Sequence, residues 1–439
     1  YGAISARPVK SRTLSMKQFL WATLLLALSL PAQAQSQAGP CEKNSQYDYD
    51  GASSLGADAP LTIAAVLHEI RRASPETRAA SLEIMARAAD AEQAGRPLNP
   101  VLSIELEEFA GSGALSGFNE AETTLGLEQT LRLGGKRQRA QISARALTAL
   151  ASAECAVILR ETELQGAILF YDYVHALNDA ALLDTAAETA EQLADTVRKR
   201  VAAGAAPPPE QIRAESAAAT AQASASFAKG LVEERRYELA SLWGEPNPLF
   251  RLAEARDPVT DAMLMGETQF THPELDRASA SENALRAAID VERAAAIPDI
   301  TVSAGFRRFE STGDSALVAG VSVPLPLFDR NRGATRAAEI RAKAGQINKV
   351  AVEARLRARQ RSAGHRLTIL EDTVLPSAVA AYEASTQGYA AGKFDLTTTF
   401  DARNALLEAQ RSVLNAKHSL RVETARLKSL IGAAPFSGE

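Results

Sequence analysis

The chain has 439 residues, 48 basic and 53 acidic side chains, a net charge of −5 and only 5% aromatic residues. A mildly acidic chain of this kind is a poor nucleic-acid binder. Its wealth of Ala, Leu, Arg, Glu and Gln, all strong helix formers, argues for long helices packed as bundles or coiled coils over the two or three globular domains that length alone allows.

Met16-Lys17, the apolar run Phe19–Leu30 and Pro31-Ala32-Gln33-Ala34 carry the charged start, short hydrophobic stretch and A-x-A site of a secretory signal. Residues 1–34 are therefore set aside as a signal peptide, and residues 1–15, ahead of Met16, are compatible with a gene-model extension. Removing 1–34 takes four basic and no acidic residues and moves the net charge from −5 to −9. No later run reaches 18 apolar residues, so no spanning helix is expected in the exported chain. Residues 35–60, polar and rich in Gly, Ser, Asp and Pro, read as an extended N-terminal segment. Cys41 follows Pro40, where a lipidation motif wants a small residue. A Cys41–Cys155 disulfide suits an oxidising compartment, but nothing in the spacing favours it. Cys155 sits in a helical run and reads as a small buried hydrophobe.

Residues 61–244 and 270–432 then read as two passes through one plan, with 245–269 as a linker and 433–439 as a tail. Each pass opens a short helix on Pro-Glu, at Ser74-Pro75-Glu76 and His272-Pro273-Glu274. Each continues with two alternating strands, about 101–109 and 122–131, then about 301–309 and 316–325. In the first pair Leu102, Ile104, Leu106, Leu125 and Leu127 share one face, and Ser103, Glu105, Glu107, Glu122 and Glu128 share the other. In the second, Val302, Ala304 and Phe306, and Leu317, Ala319, Val321, Val323 and Leu325, make the apolar faces. A very long helix follows each pair, about 135–203 and 332–391, the latter expected to kink at Pro376. Both end at Ala-Ala-Gly, at Ala203-Gly204 and Ala391-Gly392, 188 residues apart. In the last helix Leu406, Val413, Leu420 and Leu427 recur every seven residues, a coiled-coil seam.

Strands of this length with one apolar and one polar face suit a tilted membrane barrel. Four strands cannot close around a lumen, and an open sheet edge is not tolerated in lipid. Three chains sharing one barrel would supply twelve. The residues also fit a soluble periplasmic coiled-coil scaffold with two solvated hairpins.

These features together resemble the TolC-type outer-membrane factors over about 61–432. The resemblance is carried by the duplication, by Tyr389-Ala390-Ala391-Gly392 with Phe400-Asp401-Ala402-Arg403, and by two strand-to-helix turns. Those turns are Leu131-Arg132-Leu133-Gly134-Gly135-Lys136, similar to that of the heavy-metal, CzcC-like branch, and Asp329-Arg330-Asn331-Arg332-Gly333. The resemblance implies a mainly α fold with a membrane β-barrel portion: a trimeric twelve-stranded barrel continuous with a long periplasmic α-helical barrel. It implies an outer-membrane exit duct for heavy-metal cations, with a periplasmic adaptor (membrane fusion protein) and an inner-membrane RND-type pump as partners. A duct for organic toxicants or type I protein secretion is the alternative within the family. By the same resemblance Asp401, Glu210 and Tyr389 fall at the periplasmic gate, and Ala203, Gly204, Ala391 and Gly392 at the tip turns that meet the adaptor. Gly134, Gly135, Asp329 and Gly333 form the strand-to-helix turns. Thr398 and Phe394 depart from the family's aspartate and arginine, which implies a lock with fewer salt bridges.

The five histidines are scattered with no i,i+4 pair, and no motif sets two carboxylates or a nucleophile for chemistry. Neither a metal site, a cofactor nor an enzyme activity is therefore expected. The arginines of 355–366 spread around several helix faces and read as solvated, not as a nucleic-acid patch.

Overall fold

A computed structural model describes residue 41 and residues 60–248, 250–252, 272–390 and 396–431. The signal segment and residues 391–395 lie outside these.

A short β1 (Pro60–Leu61) precedes α1 (Ile63–Ala73) and α2 (Pro75–Ala94). Ser74 separates the two helices and caps α2 by accepting from Thr77 N at 3.4 Å, with proline at the tolerated start of the helix. β2 (Val101–Glu107) and β3 (Glu122–Leu131) form a hairpin that feeds α3 (Lys136–Ala202). At 67 residues, α3 is roughly 100 Å long. α4 (Pro208–Ser241) returns along it, and β4 (Arg251–Leu252) pairs in parallel with β1. The second pass repeats the plan: α5 (Pro273–Ala295), β5 (Ile300–Phe309), β6 (Ser315–Ser322), α6 (Arg332–Ile369), α7 (Leu375–Ala390) and α8 (Leu396–Leu430). His272 caps α5, its Nδ1 accepting from Glu274 N at 3.1 Å.

The four long strands make one antiparallel sheet in the order β2-β3-β5-β6, so the two hairpins join through β3 and β5 and leave β2 and β6 as edges. Two strands stop short of the sequence expectation. The first ends at Glu107 because Glu108 and Ala110 adopt left-handed backbone (φ 56° and 58°). The fourth ends at Ser322 because Pro324 has no N–H to donate to the ladder. The kink expected at Pro376 is a π-helical turn over Leu370–Val374. The proline ring excludes the carbonyl four residues back, at Asp372, and the π turn absorbs the mismatch.

The main core forms where α1, α3, α4 and α8 meet, around Val66, Ile70, Phe170, Val174, Leu239, Trp243 and Val422. Nearer the tip the packing is alanine on alanine: Ala190 and Ala194 of α3 against Ala214 and Ala218 of α4. Small side chains let two long helices approach closely along their length. In α8, Leu420 and Leu427 of the seven-residue stripe are buried, Leu406 and Val413 are half-buried, and Ala409 and Ala416 beside it are buried. Among the described residues α3 alone is long and apolar enough to cross a membrane by length and composition. Charged residues such as Arg160, Glu161 and Glu163 interrupt it, so it carries no unbroken apolar run.

One expectation is corrected. Cys155 is not an isolated buried hydrophobe but is disulfide-bonded to Cys41. The sulfurs sit among Ile84 and Ala151 in the seam between α2 and α3. The bridge spans 114 residues of chain, too far for sequence spacing to reveal. A sulfur so engaged cannot carry a lipid thioether. Cys155→Ser should remove about 2–4 kcal/mol from the helical portion and lower its thermal midpoint; wild-type protein that labels with a thiol reagent before reduction would contradict the bridge.

Candidate functional site

The sheet sets the geometry. Along β5 the side chains alternate between exposed and half-buried, with Val302, Ala304 and Phe306 exposed. The same face carries Ile104 at 72% exposure, Leu317 at 88% and Val321 at 72%. Side chains of this size each forfeit roughly 1.5–3 kcal/mol when left in water, and a contiguous apolar band marks a surface meant for another apolar phase. The opposite face is polar. On it, Arg307 of β5 donates to Glu122 (2.6 Å), Glu107 (2.8 Å) and Thr124 Oγ1 (2.8 Å), and Thr130 hydrogen-bonds Thr301 at 3.0 Å.

Two turns convert strand into helix. In the first, Gly134 and Gly135 take left-handed backbone (φ 65° and 69°), and a Cβ on Gly134 would lie 2.4 Å from Ile297 Cδ1. Asp299, just before β5, accepts from Leu133 N at 3.1 Å and pairs with Lys136 at 2.8 Å. Partial burial works against its charge, but the bonds from Lys136 and Leu133 N and the charges of Lys136 and Arg132 outweigh this and hold its carboxyl below the usual range. In the second turn the left-handed position falls on Asn331 (φ 54°), while Gly333 lies one residue inside α6. Asn331 tolerates this conformation because its Nδ2 bonds Glu292 O at 2.7 Å and its backbone N donates to Asp329 Oδ1 at 2.9 Å. Sequence reasoning named Asp329 and Gly333 and missed Asn331, although Asn is the residue after Gly that best accepts such backbone.

At the far end, Ala203 caps α3 and Gly204 takes φ 70°. Ala205 N bonds Arg200 O at 2.8 Å and Gly204 N bonds Val201 O at 2.9 Å, a complete Schellman turn. A side chain at Gly204 meets no neighbour within 4 Å, so its cost is backbone strain alone, about 1–2 kcal/mol. Glu210 lies in the first turn of α4, half-buried, where the helix dipole favours its charge. Asp401 is exposed on α8. Tyr389 belongs to the last turn of α7, and Ala391, Gly392 and Phe394 fall outside the described residues. No hydrogen bond or ion pair among the described residues joins Glu210 to Asp401 within one chain.

What the structure adds is a ladder between α3 of the first pass and α8 of the second. Asp172 meets His418 Nε2 at 2.6 Å, Asp179 takes Arg411 through two bonds of 2.8 and 2.9 Å, and Arg403 donates to Ala186 O. The α3 positions step by seven residues, which returns each rung to the same helix face. Equal spacing of Asp172 to Asp179 and Arg411 to His418 is the sequence signal that would have found it. The rings of His175 and His418 lie 4.7 Å apart. Burial, and then the neighbouring His418, push the His175 pKa below its ordinary value, against the opposing pull of Asp179 and Asp172 and with a further push from Arg411.

Three arginines of α6 form ion pairs, Arg357 with Glu353 (2.5 Å), Arg359 with Glu274 (3.8 Å) and Arg366 with Glu423 (3.0 Å). No group of three or more His, Cys, Asp or Glu side chains able to hold a metal ion occurs among the described residues.

The outer membrane efflux protein family matches residues 264–433. The nickel and cobalt resistance protein CnrC of Cupriavidus metallidurans is 30% identical over 316 residues, covering 69% of this chain and 73% of CnrC. The chain belongs to the outer membrane efflux protein family. The cobalt-zinc-cadmium resistance protein CzcC of the same organism is 29% identical over 365 residues, covering 81% of this chain and 86% of CzcC. In fold, the chain is similar to the outer membrane protein VceC of Vibrio cholerae, with a TM-score of 0.67 at 19% identity over 84% of this chain and 96% of that one. This family consists of channel proteins, and the soluble-scaffold alternative is set aside.

Because the His175 pKa is lowered in the folded contact, separated helices take up a proton as pH falls through 6.5 while the packed pair resists it. The α3–α8 contact should therefore weaken below that pH. Amide exchange in residues 172–179 and 411–418, corrected for its intrinsic rate, should quicken between about pH 7.5 and about pH 5.5, and His175→Gln should remove the difference. Equal protection at both pH values would contradict this.

Proposed function

We propose that the chain is the exit duct of a tripartite efflux system for heavy-metal cations. Three copies share one twelve-stranded barrel in the outer membrane, and their helices form a periplasmic tube that meets an adaptor and an inner-membrane RND-type pump. The observation that carries this reading is the sheet: an exposed apolar face, a polar face and two open edges. Such a sheet is unstable alone in water or in lipid and becomes stable when its edges pair with other copies. The cargo class rests on the resistance named in the two relatives, CnrC and CzcC.

In this reading the Schellman turn at Gly204 and the corresponding turn at Ala391-Gly392 form the periplasmic tip. Glu210, Asp401 and Tyr389 approach the axis there only across copies, and three copies of the two carboxylates make an anionic ring. The tip turns also dock the adaptor. A groove of about 660 Å³ between α3 and α4, floored by Ala187, Ala218 and Ala219 and rimmed by Glu188 and Glu191, supports docking of a helical partner nearby.

Deleting the gene in its native host should sensitise the cells to one or more of zinc, cobalt, cadmium, copper and silver, with tolerance restored by the wild-type gene. Unchanged tolerance to all five would overturn the cargo assignment.

A further inference from the structure

Arg307 stands out on the polar face of the sheet because it bonds side chains on two other strands from one position. It springs from β5, bonds Glu122 and Thr124 on β3, and reaches Glu107 on β2. It thereby links the hairpin of the first pass to that of the second. The cross-strand register places Glu105, Thr124, Arg307 and Ala316 in one row, and Glu107, Glu122 and Phe309 in the next. These rows lie at the end of β3 and β5 remote from the helices, since β3 runs from Glu122 toward α3. Glu105, in the same row, and Glu128, further along the same face, make no ion pair among the described residues.

We infer that Arg307 sets the charge of the outer mouth of the duct, and so how strongly it favours cations over anions. The inference rests on the proposed function, in which the polar face lines the lumen. Each chain places Glu105, Glu107 and Glu122 at the mouth against one Arg307, a residual charge that is repeated in every copy. In a narrow lumen with low-dielectric walls such charge is felt by every passing ion. The guanidinium is suited to the task because its planar fork satisfies two carboxylates and a hydroxyl together, which an ammonium cannot do with the same geometry. Neutralising it would free Glu107 and Glu122 in each copy and make the mouth more anionic. Neutralising Glu105, which makes no ion pair among the described residues, would do the reverse without disturbing the clamp.

The test is the reversal potential of the purified full-length protein in planar bilayers under a potassium chloride gradient. Arg307→Gln should move it toward the potassium equilibrium potential, Arg307→Lys should stay near wild type, and Glu105→Gln should move it the other way. Both shifts should shrink as ionic strength rises and screening shortens, which a merely structural effect would not produce. A normal channel with an unmoved reversal potential in Arg307→Gln overturns the inference alone. If Arg307→Gln fails to assemble, Glu105→Gln decides: a shift supports the inference and no shift overturns it. A wild-type protein that opens no channel overturns the proposed function and this inference with it.

Discussion

Everything in this chain follows from a sheet that cannot be finished by one copy. Its outward face is apolar and exposed, and its edge strands β2 and β6 offer unpaired N–H and C=O groups. Water penalises the first feature and a bilayer penalises the second. A bilayer covers the apolar face and edge pairing between copies satisfies the open strands, so association is part of folding in the membrane and not an addition to it. The helices inherit the same logic. α3 has only partial cover from α1, α2, α4, α5 and α8 within one chain, as expected of a wall element that also faces copies of itself.

The connections transmit that constraint. A strand and a helix of this length can join only where the backbone turns sharply, and two chemistries do it: a Gly pair in the first pass and an Asn braced by Glu292 and Asp329 in the second. The disulfide pins residue 41 into the seam beside the first of these turns' helices. The α3–α8 ladder holds the two passes together further down, and its rungs differ in kind. Asp179 and Arg411 meet through two bonds in one ion pair, whereas the Asp172–His418 rung lies beside His175, whose pKa burial pushes below its ordinary value.

Periodicity made much of this legible. Strict alternation in residues 122–131 fixed β3 and its two faces, and the absence of proline between Pro100 and Pro207 let α3 be drawn to within one residue at either end. The misses have local causes. β2 ends on left-handed Glu108, which no composition rule marks, and β6 was carried through Pro324, where the missing donor was the stronger signal. The disulfide, the ladder and the Arg307 clamp join residues 114, 232 and 200 apart. One sequence shows which face a side chain occupies but not which distant face it meets. The residues proposed for the gate stand differently again. Glu210 and Asp401 were named through resemblance, and no hydrogen bond or ion pair among the described residues joins them within one chain.

The central claim is that the sheet closes only between copies. Native mass spectrometry of the full-length exported protein, extracted from outer membranes in detergent, tests it most directly. The account predicts a single dominant species of three chains that survives dilution. A stable monomer, or a protein recovered in the soluble periplasmic fraction without detergent, would contradict it.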